Sequence, residues 1–136
     1  MIQRIQSIWL LLASICTFCS LQLPFYSGSL ANNNVVVFVN GMYSFPISFV
    51  TIVIGVLTTI SIFLYNNRPL QMRFCLFSLI LESLLIFLYF TQTKQFISGT
   101  LSLSSILQLL VFFFVLLAFR GIFKDHKIVK ESDRLR

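Results

Sequence analysis

The sequence predicts an all-α membrane protein with four transmembrane helices, both termini cytoplasmic, and a short β-hairpin in the first outer loop. Three observations lead there. Residues 5–67 contain no Asp, Glu, Lys or Arg; so long an uncharged run cannot cover a soluble surface, but it suits a bilayer, where each pass takes about 20 apolar residues. Hydrophobic residues make up 57% of the 136-residue chain and charged residues 10%, against about 25% charged in a soluble domain. The Lys and Arg residues, finally, alternate between rich and poor connections. A soluble globular domain, a disulfide-stapled secreted module and a disordered tail are all excluded.

The first apolar segment covers residues 5–23 and is closed by Pro24. A cleaved signal peptide is the competing reading, with small residues at Ser29 and Ala31 as a conceivable site. The segment is long for a signal core and Pro24 intervenes well before that site, so a retained helix is expected. The second helix is expected at 46–65, its leading Pro46 suited to a first turn where no N–H bond is lost. The third is expected at 70–91 and the fourth at 97–119, all long enough to span by hydropathy. These form one bundle over residues 1–123, followed by a charged cytoplasmic tail at 124–136.

Orientation follows from the cations, because cytoplasmic connections retain Lys and Arg. Arg4, Arg68, Arg73 and six residues from Arg120 to Arg136 fall on one side, and Lys94 alone on the other. The turn Asn66-Asn67-Arg68-Pro69 reads as a helix stop followed at once by a helix start, which makes helices two and three antiparallel neighbours. In the outer loop, Asn40-Gly41 separates a Val-rich run from Met42-Tyr43-Ser44-Phe45, the pattern of a two-residue hairpin. So apolar a hairpin either caps its own bundle at the membrane interface or offers an edge strand to a partner.

Glu82 is the only acidic residue before Asp125 and falls near the middle of the third helix. An acid at that depth is a functional hypothesis by default. Thr58 and Gln108 come out at similar depth, within a seam of small and hydroxyl residues at helical spacing: Thr51, Gly55 and Thr58, then Ser78 and Glu82, then Ser98, Ser102, Ser105 and Gln108. With no cation at this level, the carboxyl is expected to be protonated and hydrogen-bonded or paired with another subunit. Helix packing, an intersubunit contact and a proton or ion relay all remain open for it.

Cys16, Cys19 and Cys75 lie in apolar segments without a His or a second pair, so they make neither a metal site nor a disulfide framework. The sole His126 sits in the charged tail. No Gly-rich phosphate loop, nucleophile elbow, metalloprotease helix or intramembrane carboxylate pair occurs. A non-enzymatic protein without catalytic residues, cofactor or metal is therefore expected. In the tail, Asp125, Glu131 and Asp133 interrupt the cations, a poor arrangement for nucleic acid but compatible with a specific protein face. The expected partners are membrane lipids and other membrane-protein subunits, with no nucleic acid and no small-molecule substrate.

Three stretches, residues 1–13, 67–75 and 124–136, resemble a family of Bacteroidota integral membrane proteins known as domain of unknown function 4293. The matching positions are Gln3, Arg4 and Gln6; Arg68, Gln71 and Arg73; and Arg120, Asp125, Asp133, Arg134 and Arg136. His126 stands where the family usually has an acid and Glu131 where it has a small residue, while Glu82 and the Val-rich run match no motif. The resemblance implies a bacterial inner-membrane protein of four helices, which makes the hairpin loop periplasmic, and it implies no established activity. The functional expectation is an accessory subunit or scaffold of a larger inner-membrane complex, contacting its partner through Arg4, Arg68, Arg73, Arg120, Asp125, Asp133, Arg134 and Arg136. A small oligomeric transporter or channel built on Glu82, Thr58 and Gln108 is the alternative.

Overall fold

The computed structural model describes residues 2–30, 33–94 and 96–134. Among them are four long helices, α1 (Ile2–Ser20), α2 (Phe45–Phe63), α3 (Arg68–Thr93) and α4 (Ser105–Arg134), and three strands, β1 (Tyr26–Leu30), β2 (Asn33–Val39) and β3 (Phe96–Leu101). Each helix packs on its neighbours in chain order, and α4 closes the ring against α1. The short turn through Asn67 defines one end of the bundle, and the strands define the other.

Three helices are long and apolar enough to cross a membrane: Phe45–Phe63, Arg68–Thr93 and Ser105–Val129. Ile5–Ser20 is apolar but shorter. α2 opens with Pro46 in its first turn, as expected. A single 3-10 turn (Leu64–Asn66) then leads directly into α3, again with a proline in the first turn. Side chains facing outward from these helices are apolar: Ile52, Val56, Ile60, Ile80, Phe87 and Phe113 are all exposed. Helices with apolar outward faces that keep polar residues such as Thr58, Gln71, Ser78 and Glu82 buried suit lipid.

The strands depart from expectation. They form one antiparallel sheet in the order β2-β1-β3, so both connections at this end share a structure. β1, with its small Ser27-Gly28-Ser29 centre, is the middle strand; Gly28 faces Val37 on one side and Gly99 on the other. Phe25 extends the ladder in both directions, its N–H donating to the Val39 carbonyl at 2.6 Å and its carbonyl accepting from Ser102 at 3.0 Å. A Cβ on Gly99 would lie 2.5 Å from the Ser27 carbonyl oxygen, so β3 can approach β1 this closely only with glycine there.

Asn40-Gly41 is therefore not the hairpin turn. No residue among those described has a positive φ, whereas a two-residue hairpin of the expected type needs it at both central positions. Asn40 Oδ1 instead accepts the Met42 N–H at 3.2 Å and its carbonyl accepts the Tyr43 N–H at 3.0 Å, a local turn that ends β2 and opens the approach to α2. Gly41 is required by proximity: its added Cβ would fall 2.7 Å from the Leu21 Cα at the end of α1.

The same sheet explains where α4 starts. Residues 97–101, expected as the first turns of the fourth helix, are paired as β3, and the helix begins at Ser105. Its end is also displaced, because it continues beyond residue 119 through the charged tail to Arg134 without interruption.

Two apolar clusters fill the interior. Near the turn end, Leu10, Ala13, Cys75, Val111, Val115 and Ile122 join α1, α3 and α4. Near the sheet end, Ile47, Ile54, Leu85 and Tyr89 pack beneath Phe25, Val39 and Phe96 of the sheet. Phe25 stacks on Tyr89 at 4.3 Å between ring centroids, a pair worth roughly 1 kcal/mol beyond its buried area. A polar layer separates the clusters, since Ser78 and Glu82 lie between Cys75 and Leu85 along α3.

Candidate functional site

At the turn end, three distant stretches meet on one residue. Gln6 of α1 donates from Nε2 to Asp125 Oδ2 of α4 at 2.7 Å, and Arg68, the first residue of α3, donates from Nη1 to the Asp125 backbone carbonyl at 3.3 Å. Asp125 and Gln6 are both buried, 7% exposed each. Gly121, one turn before Asp125, makes this possible: a Cβ there would lie 2.9 Å from Gln6 Cγ. The glutamine thus lies against bare backbone to reach the acid, and a hydrogen bond to a buried carboxylate is worth about 1.5–3 kcal/mol. A second tie lies nearby, where Gln71 Nε2 donates to the Ser61 carbonyl at 2.9 Å and holds α3 to α2.

The clamp sets the geometry of the tail. Because Arg68 begins α3, Asp125 lies level with the end of the α2–α3 turn, and residues 126–134 rise past it by about 13 Å of helix. Ile128 and Val129 are 49% and 44% exposed on that extension. They are the last residues of the apolar Ser105–Val129 stretch, and only charged and polar residues follow them up to Arg134.

The predicted site residues divide accordingly. Arg68 and Asp125 are brought together, and both face inward as the clamp. Arg73 and Arg120 are exposed at the same end. The side chains of Arg4, Asp133 and Arg134, and the whole of Arg136, lie outside the described residues. Gly121 was not singled out in the sequence, although a glycine within an apolar helical run is itself a signal of close approach.

In the polar layer, Glu82 and Gln108 meet as their common depth implied. Gln108 Nε2 donates to Glu82 Oε1 at 2.6 Å, with the two residues 2% and 0% exposed. Glu82 Oε2 and the Ser78 hydroxyl one turn away are buried with no hydrogen-bond partner. Thr58 is buried but does not join them: its hydroxyl donates to the Ile54 carbonyl of its own helix at 2.9 Å. Thr51 does the same toward Ile47. The seam is therefore a set of back-bonded hydroxyls beside one interhelical pair. Ser98 and Ser102 lie outside α4, Ser98 on β3 and Ser102 just beyond it. No group of three or more potential metal ligands occurs among the described residues.

Fold and site together define a small, mostly helical membrane protein, apolar on its outer faces and clamped at the end from which its last helix projects. The family model described as Domain of unknown function (DUF4293) matches residues 2–135, and the chain belongs to that family. No curated protein and no solved structure matches the chain.

Proposed function

We propose that the protein is a non-enzymatic accessory subunit or scaffold of a larger bacterial inner-membrane complex. In this reading all four helices cross the bilayer, α1 included, with the termini and the turn end in the cytoplasm and the sheet in the periplasm. The cation asymmetry supports that orientation. The observation that carries the function is the projecting end of α4, held by the Gln6–Asp125–Arg68 clamp, with Ile128 and Val129 exposed along it. A clamped helix loses little further freedom when it docks, so its contacts convert more fully into affinity. Arg4, Arg73, Arg120, Asp133, Arg134 and Arg136 would set the register of the contact, whereas Arg68 and Asp125 act by holding the helix.

Purification of the tagged chain in mild detergent tests this. The full-length protein is expected to carry a stoichiometric membrane-protein partner, and Ile128→Asp to lose it while remaining folded. Equal recovery by both, or none by either, overturns the proposal.

The second reading, an oligomeric transporter, is favoured by one observation: the unpartnered Glu82 Oε2 in the bundle centre. Reconstituted into liposomes, wild type would then show pH-dependent ion flux and Glu82→Gln would abolish it. Absence of flux in wild type, or unchanged flux in the variant, removes this reading.

A further inference from the structure

Between α3 and α4, near the turn end, lies an apolar groove of about 150 Å³ lined by Met72, Leu76, Phe119 and Phe123, with Arg73 as its one charged residue. Met72 and Phe119 form its floor, packed against the turn-end core. Leu76 and Phe123 stand exposed along its rim. The two helices give the groove a direction. α3 runs away from the turn end, so Leu76 lies deeper toward the bundle centre than Arg73; α4 runs toward it, so Phe119 lies deeper than Phe123. Arg73 consequently lies nearer the turn end of a groove whose apolar lining continues toward the bundle centre. Among the described residues no acid pairs with Arg73, so its donors are open to a ligand.

We propose that this groove binds one anionic phospholipid, its phosphate on Arg73 and an acyl chain along Met72, Leu76, Phe119 and Phe123. Charge complementarity selects the occupant: an apolar trough alone would accept any chain, and a cation nearer its turn end favours a headgroup with net negative charge. Arg suits the role because its planar fork meets a phosphate through two parallel hydrogen bonds. The site depends on the bilayer placement but not on the docking of the end of α4, with which it shares Arg73 alone.

The test is native mass spectrometry of the full chain released from detergent with equal amounts of phosphatidylglycerol and phosphatidylethanolamine. Wild type is expected to retain one phosphatidylglycerol in preference by about fivefold, the effect of one well-placed basic residue at a membrane surface. Arg73→Ala should bring the two lipids to parity and Arg73→Lys should keep most of the preference. Arg120→Ala, a charge change at the same end outside the groove, should leave it intact. Leu76→Trp, which fills the trough while leaving the cation, should release both lipids. Equal retention of the two lipids by wild type overturns the site, as does an Arg120→Ala loss equal to that of Arg73→Ala, which would mean a general positive surface. Unchanged preference in Arg73→Ala overturns it too, and would leave the groove to a protein segment.

Discussion

Replacement of Gln108 by Leu is expected to destabilise the bundle by about 2–3 kcal/mol, more than replacement of Glu82 by Met. The reason is an asymmetry in what each change leaves behind. Glu82 already has one oxygen without a partner, and loss of the Gln108 amide would strand the other in a dry interior, where an unsatisfied polar group costs about 1–3 kcal/mol and a carboxyl more. Glu82→Met strands only the neutral amide of Gln108, whose burial without a partner costs less than that of a carboxyl. The double variant Glu82→Met with Gln108→Leu should recover most of the stability, since removing both partners of a buried pair is nearly neutral. Unfolding in a detergent series measures all three. Additive losses in the double variant would mean that the two residues do not act as a pair.

The second large effect belongs to the clamp. Gly121→Val places a branched side chain where Gln6 lies, 2.9 Å from its Cγ, and should cost about 2–3 kcal/mol through overpacking combined with loss of the hydrogen bond to Asp125. The loss should be local. Amide hydrogen exchange of residues 126–134 should accelerate at least tenfold, while the apolar pairs around Ile54 and Leu85 keep their protection. Gln6→Ala should speed exchange in the same segment with a smaller loss of stability, because it removes the bond without the collision. Uniform acceleration over the whole chain would show that Gly121 supports the bundle at large and not the projecting helix.

Much of the bundle was legible because its signals are strong and local. Long apolar runs mark helices whatever surrounds them, and Pro46 and Pro69 mark first turns through their missing N–H. The common depth of Glu82 and Gln108 followed from counting residues along antiparallel helices. The sheet was not legible, for three separate reasons. Ser27-Gly28-Ser29 has little intrinsic strand preference and is a strand because two neighbours pair with it. Phe96-Ile97-Ser98 is apolar and short, and a run of that kind reads equally as a helix start. Asn40-Gly41 carries a hairpin signal that tertiary contact overrides, the glycine serving proximity to Leu21 in place of a positive φ. At the candidate site, the family resemblance pointed to Gln6, Arg68 and Asp125, but only the fold shows that they converge on one another, and that Asp125 faces inward rather than toward a partner.

The central position of β1 also orders the birth of the molecule. The chain emerges from the ribosome N-terminus first, so α1, β1, β2 and α2 exist as a helical pair before β3 has been made. During that interval β1 has one edge joined to β2 and the other bare, with Gly28 at its middle open to any extended segment nearby. Only when α3 has been threaded and Phe96 to Leu101 appear does its own third strand arrive to occupy that edge. The glycine-centred strand thus keeps one unpaired edge in the nascent chain until residues 96–101 have been made.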